Sequence, residues 1–240
     1  MSDVAANWKH VCRQVAEAAR RAGRDPRSVR IVAAAKTKPV ELIEQAIAAG
    51  VTDVGENYVQ EAAAKRRRIT APVAWHLLGH LQRNKAARAV ELFDLIHTLD
   101  SVTLAQALAR HGARMARPVP VLIEVNIGAE ATKSGVQVAE VEALVRALAT
   151  QRWLVVHGLM AVPPAGPSPE SARRYFRALR VLRDRLRAGA PANAPLRELS
   201  MGMTDDFAVA IEEGATIVRV GRAIFGEREK TDLGMTDDGA

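Results

Sequence analysis

A lysine among alanines is the first residue that asks for a chemical explanation. In RIVAAAKTKP (residues 30–39) the aliphatic run from Ile31 to Ala35 leads directly into Lys36. Strand alternation puts Val32, Ala34 and Lys36 on one face. If that face lines a packed interior, the amine rises from small side chains, and desolvation favours its neutral form. A neutral lysine amine attacks aldehydes, which is the Schiff-base use of the residue. A lysine whose stem lies along apolar surface while its ammonium reaches water would read the same way. This stretch alone leaves both open.

The far end of the chain offers such an amine a complement. LSMGMTDD (199–206) and VRVGRAIFG (218–226) have the character of phosphate loops. Ser200 supplies a hydroxyl donor, and Gly202 lets backbone approach an anion. Thr204 or Asp205 is placed to cap the next helix, whose N-terminus favours negative charge. Gly221 and the N–H of Arg222 offer a second cradle. A phosphate on one side and an amine on the other suit a phosphorylated aldehyde, and pyridoxal 5′-phosphate (PLP) is the obvious one. His76 and His80 have metal-ligand spacing for a helix, but on a strand they stand roughly 13 Å apart, so no metal site is expected. Phosphate loops of the GxxxxGK[ST] type and GxSxG elbows are absent.

These groups need a frame that brings both ends of the chain together. Eight short apolar runs alternate with helix-period segments: Val29–Thr37, Val51–Asn57, Ala74–Leu81, Leu95–Asp100, Val119–Ile127, Leu154–Val162, Leu196–Gly202 and Thr216–Phe225. The rhythm predicts an α/β fold, a single parallel (β/α)8 TIM barrel. A doubly wound open sheet fits less well, because its Gly-x-Gly-x-x-Gly turn is missing. An extra helix precedes the barrel, with Val4, Trp8, Val11, Cys12, Val15 and Ala19 at helical spacing. One domain is expected over 1–230, and a loose tail over 231–240. Barrel ligands sit at the C-terminal strand ends, which here read Lys36, Asn57, His80, Asp100, Asn126, Met160, Ser200 and Arg219–Gly221.

Composition narrows the function classes. The one cysteine excludes a disulfide framework and fits a reducing compartment. Neither a membrane span nor a signal-peptide core is legible, so a cytoplasmic protein is expected. The net charge of +7 raises nucleic acid as a partner. However, Arg173, Arg177 and Arg180 share a helix face opposite Tyr175, Phe176, Leu179, Leu182 and Leu186, which reads as a solvated amphipathic helix. No aromatics alternate with the arginines as a base-stacking platform requires.

The segments AAAKTKP (33–39), GENYVQEA (55–62), WHLLGHLQRNK (75–85), EVNIGAEATKSG (124–135), HGLMAVPP (157–164) and LSMGMTDDFAVAIEEGATIVRVGRAIFG (199–226) follow one another along the chain. With them the chain resembles the pyridoxal-phosphate homeostasis protein family over nearly its whole length. The resemblance implies a barrel like the N-terminal domain of bacterial alanine racemase, with PLP bound as an aldimine to Lys36. It further implies that Ser200 and the backbone around Gly221 and Arg222 hold the phosphate. Arg219 would face the pyridine nitrogen and Asn57 would lie beside the cofactor, with His80 and Asn126 at the mouth. The implied role is a non-catalytic PLP binder in vitamin B6 and amino-acid homeostasis. Its implied partners are PLP and PLP-dependent apo-enzymes, and a monomer is expected. A PLP-dependent racemase is the alternative. It needs a second acid/base, and the chain has only two tyrosines, Tyr58 and Tyr175.

Overall fold

The computed structural model describes residues 3–227. Its strands are β1 (Arg30–Ala34), β2 (Asp53–Glu56), β3 (Ala74–Leu77), β4 (Leu95–Leu99), β5 (Val119–Asn126), β6 (Val136–Gln137), β7 (Leu154–Met160), β8 (Glu198–Ser200) and β9 (Ile217–Val220). All pairings are parallel. β1, β2, β3, β4, β5, β7, β8 and β9 close in that order into an eight-stranded barrel, and the two-residue β6 pairs only with β5. The helices are α1 (Val4–Arg21), α2 (Val40–Ala48), α3 (Val59–Arg66), α4 (Ala86–Leu92), α5 (Val102–Arg114), α6 (Val141–Ala147), α7 (Arg173–Arg187), α8 (Phe207–Glu212) and α9 (Arg222–Phe225). The expected tail at 231–240 lies outside the described residues.

The apolar runs overstate strand length, because hydrophobicity does not separate a strand from the buried turn after it. The third run reaches Leu81, yet β3 stops at Leu77. Here the backbone of Gly79 packs on Asn57, and a Cβ at Gly79 would lie 2.3 Å from the Asn57 carbonyl oxygen. The last run breaks after Val220 and continues as α9. Asp206, rather than Thr204 or Asp205, stands at the start of α8, and its carboxylate accepts from the Met203 N–H.

Two apolar layers follow from strand alternation. Outward residues such as Ala33, Val54, Ile123 and Val218 meet the helices. Inward residues Val32, Leu95, Leu122, Met160 and Ile217, with Leu78, form a separate cluster inside the barrel. α1 buries Val4, Trp8, Val11, Val15, Ala18 and Ala19 against α2, α8 and α9. Cys12 is half-buried against this core, and burial pushes its thiol up.

The arginine face of α7 is not simply solvated. Arg173, Arg177 and Arg180 converge on Glu213 at 3.2, 2.8 and 3.1 Å, and the Glu213 side chain is only 5% exposed. Arg173 also pairs with Glu170 and Glu212. This internal neutralisation leaves little charge on that face to attract a polyanion. The Arg177 hydrogen bond, joined by those of Arg173 and Arg180, outweighs burial and holds Glu213 down at about 2 instead of 4.5. Its stabilisation is therefore complete above pH 4.5 and is lost as pH falls towards about 2. Glu213→Gln is expected to cost about 1–2 kcal/mol near neutral pH, since the partners are part-exposed and screened. Acid-unfolding curves of variant and wild type should converge at low pH. A gap that persists there would mean that packing, not charge, carries the effect.

Candidate functional site at the barrel mouth

The seam between β1 and β9 builds the site. Val32 stands opposite Arg219. By alternation Ala34 then faces Gly221, and a Cβ on Gly221 would come 3.0 Å from the Ala34 carbonyl oxygen. Lys36 follows two residues beyond Ala34, in the turn that leaves β1. Arg219 thus forms a floor, Gly221 a wall, and Lys36 the rim.

Lys36 lies in a turn two residues past β1 and is half-buried. Its Nζ sits 5.0 Å from the centroid of the Tyr58 ring. Asn57, half-buried, follows β2 directly. His80 is exposed beyond β3, with Nδ1 3.4 Å from Asp100 Oδ2. Beside that pair, a cavity of about 510 Å³ opens between the loops after β3, β4 and β5. Asn126 is buried at the end of β5 and engaged with its own loop. Its Nδ2 donates to the Glu130 carbonyl at 2.8 Å, and its Oδ1 accepts from the Glu130 N–H at 3.1 Å.

The two phosphate-like loops are tied together. The Asp205 carboxylate accepts from Arg222, and Thr204 Oγ1 accepts from the Ala223 N–H. The Arg222 side chain is therefore committed to carboxylates, Asp205 and Glu227. The backbone N–H groups of Gly221 and Arg222 have no hydrogen-bond partner among the described residues. Gly202 has φ +92, and a Cβ there would strike Ala210 and Phe207, so packing on α8 already requires glycine. Its carbonyl accepts from the Arg219 N–H at 3.0 Å.

Arg219 is buried inside the barrel. One guanidinium nitrogen donates to Ser200 Oγ at 2.7 Å and the other to the Ala161 carbonyl at 3.0 Å. Burial pulls it down to about 10, against the attraction of Asp206 and Glu124, so it remains charged at neutral pH. Glu124 points inward from β5. Burial pushes its carboxyl up, and although Ser134 donates to Oε1 at 3.0 Å, Oε2 has no partner.

A polar chain runs from Arg219 through the barrel interior. Ser200 Oγ meets His97 Nδ1 at 2.9 Å, His97 Nε2 meets His76 Nδ1 at 3.0 Å, and His76 Nε2 meets Asp53 Oδ1 at 3.0 Å. The directions follow from the ends, because a guanidinium only donates and a carboxylate only accepts. Burial acts against the Asp53 carboxylate, but hydrogen bonds from His76 and Thr52 hold it below its ordinary value. Burial, with His76 and Arg219 adding to it, keeps His97 neutral. With one proton on each imidazole, Asp53 accepts from His76, His76 from His97, His97 from the Ser200 hydroxyl, and Ser200 from Arg219.

Ser200, read from the sequence as a phosphate donor, thus spends its one hydrogen on His97 and its oxygen on Arg219. Sequence reasoning missed Asp53 and His97, and it weighed His76 only as a metal ligand. Their one signal was an ionisable residue at an inward position on neighbouring strands. Among the described residues no cluster suits a metal ion.

His97→Phe is expected to cost about 1–3 kcal/mol, because His76 and Ser200 each lose a partner. His97 also makes wild-type stability fall as pH drops below 6.5, since only the unfolded chain takes up its proton. Denaturant unfolding between about pH 7 and 5 should show a shallower pH slope in the variant. An unchanged slope would contradict a buried, neutral His97.

Residues 6–229 match the family "Alanine racemase, N-terminal domain". The pyridoxal phosphate homeostasis protein of Vibrio alginolyticus is 40% identical over 234 residues, covering 95% of this chain and 99% of its own. PipY of Synechococcus elongatus, solved with PLP bound, is 36% identical with TM-score 0.78, covering 88% of this chain and 100% of that one. Alanine racemase of Corynebacterium glutamicum shares the fold at 18% identity and TM-score 0.66, and the likeness covers 61% of its length. No described helix is long and apolar enough to cross a membrane. By the barrel and by the match over nearly its whole length, the chain belongs to the alanine racemase N-terminal domain family and, within it, to the pyridoxal phosphate homeostasis proteins.

Proposed function

We propose that the chain binds PLP at the barrel mouth through Lys36, holds it reversibly and turns over no substrate of its own, as part of intracellular vitamin B6 homeostasis. The observation that carries this reading is the β1–β9 register, which sets Val32 opposite Arg219 and brings Ala34 against Gly221, two residues before Lys36. When bound, the cofactor supplies an aldehyde that reacts reversibly with amines. The donor set fits it. Free N–H groups at Gly221 and Arg222 suit the phosphate, the Lys36 amine suits the aldehyde carbon, and Arg219 suits an unprotonated ring nitrogen. Asn57, His80 and the Gly202 loop would complete the surroundings of the cofactor. Ser200 Oγ, which accepts from Arg219 at 2.7 Å, is the side-chain hydroxyl offered to the phosphate and also orients that guanidinium. Because the bond to an amine is reversible, the same mouth can return the cofactor to PLP-dependent apo-enzymes.

Arg219 also bears on catalysis. A guanidinium has no acceptor, so it cannot hold a proton on a pyridine nitrogen, and an unprotonated ring withdraws electrons poorly. One observation favours the racemase alternative, namely the proximity of Tyr58 to Lys36. Racemisation needs acid/base groups on opposite faces of the substrate carbon, however, and Tyr58 packs on Lys36 itself. Tyr175 is bonded to Arg174 on α7.

Protein mixed with PLP should develop a visible absorption band that borohydride bleaches, and Lys36→Ala should not. Equal bands in both proteins, or none in the wild type, would overturn the lysine assignment. D-alanine formed from L-alanine by the loaded wild type, and lost in Tyr58→Phe, would establish the racemase instead.

A further inference from the structure

The motif GENYVQEA contributes Asn57 to the mouth, but its two glutamates face away from it. Glu56 points outward from β2 under α3 and is fully buried, and Lys65 of α3 is buried beside it. The Lys65 ammonium donates all three of its hydrogens: to Glu56 Oε1 at 2.7 Å, Glu61 Oε1 at 2.6 Å and the Ala35 carbonyl at 2.8 Å. Glu61 Oε1 also accepts from the Thr37 N–H at 2.7 Å. The carbonyl before Lys36 and the amide after it are therefore held by one cluster.

The geometry points to Glu56, Glu61 and Lys65 as positioning residues for Lys36: a buried ion cluster behind β1 that clamps both flanking peptides and sets where the amine enters the mouth. This rests on the reading that Lys36 bonds the aldehyde. Thr37 has φ +62, a left-handed conformation that a β-branched residue rarely adopts and that its surroundings must enforce. The clamp supplies that enforcement through the Thr37 N–H. Stability alone gives a poor reason for burying these charges, since apolar replacements of buried ion pairs are often as stable. Burial acts strongly on Glu56, pushing it up to about 7 even with Lys65 beside it, and its Oε2 is unpartnered.

The test separates positioning from stapling by using two ligands. PLP can bond to Lys36, whereas pyridoxine 5′-phosphate has the same ring and phosphate but no aldehyde. Glu61→Ala removes the tie to Thr37, leaves the Lys65–Glu56 pair, and affects a part-exposed residue, so a folded protein is expected by circular dichroism. Covalent capture of PLP, followed by absorbance and borohydride trapping, should slow by about tenfold or more, as expected when a charge-assisted hydrogen bond holding the turn is lost. Affinity for pyridoxine 5′-phosphate should not change. Lys65→Met should show the same split more strongly, and if it does not fold, Glu61→Ala decides. Unchanged capture overturns the assignment, and so does equal weakening of both ligands, the mark of a mere structural staple. A wild-type protein that captures PLP elsewhere than Lys36 overturns the parent reading, and this one with it.

Discussion

The site depends on the pairing of the first barrel strand with the last. β1 and β9 are joined in parallel at Val32 and Arg219, and this contact closes the ring. A one-residue slip would turn Arg219 and Gly221 out towards the helices and leave Lys36 over an aliphatic floor. Register is well specified here because both faces of β1 are committed. Val32 belongs to the interior cluster and Ala33 to the layer under the helices. Packing of methyl groups thus decides where an amine and a guanidinium meet.

The interior that this register creates is partly polar. A buried guanidinium needs hydrogen-bond acceptors and compensating charge, and Arg219 finds them in Ser200, Ala161 and the nearby carboxylates Asp206 and Glu124. The line from Ser200 through His97 and His76 to Asp53 lets each polar atom in it find a partner without water. A satisfied buried network confines its members to one arrangement. At the mouth, Asn126 holds the loop after β5, and the contacts of Thr204 and Asp205 join the loops after β8 and β9. Rigid walls around an exposed rim suit a site that must admit and release one small charged ligand.

Much of the frame was legible in the sequence because aliphatic runs alternate regularly with helical segments. Lys36 stood out because a charge interrupting such a run is costly. Strand ends were read too far, since Gly79 and Thr37 turn the backbone while remaining among apolar neighbours. The contact of Ser200 with His97 could not be read from the sequence, because His97 lies 103 residues away and only the barrel brings them together. Glu213 escaped notice for the same reason, 36 residues beyond Arg177. Charge on one helix can be counted from sequence, but its neutralisation by another element cannot. The roles of Arg219, Asn57, His80 and Asn126 came from resemblance to a family, and the residues alone would not have assigned them.

The β1–β9 seam would set Arg219 against the ring nitrogen of a cofactor held at Lys36. The most direct measurement is the nitrogen-15 chemical shift of ring-labelled PLP bound to the wild-type protein. An unprotonated pyridine nitrogen across the neutral pH range is expected, because a guanidinium can donate to it but cannot hold a proton on it. A protonated nitrogen would place some other, acidic group at that position and contradict the pairing with Arg219.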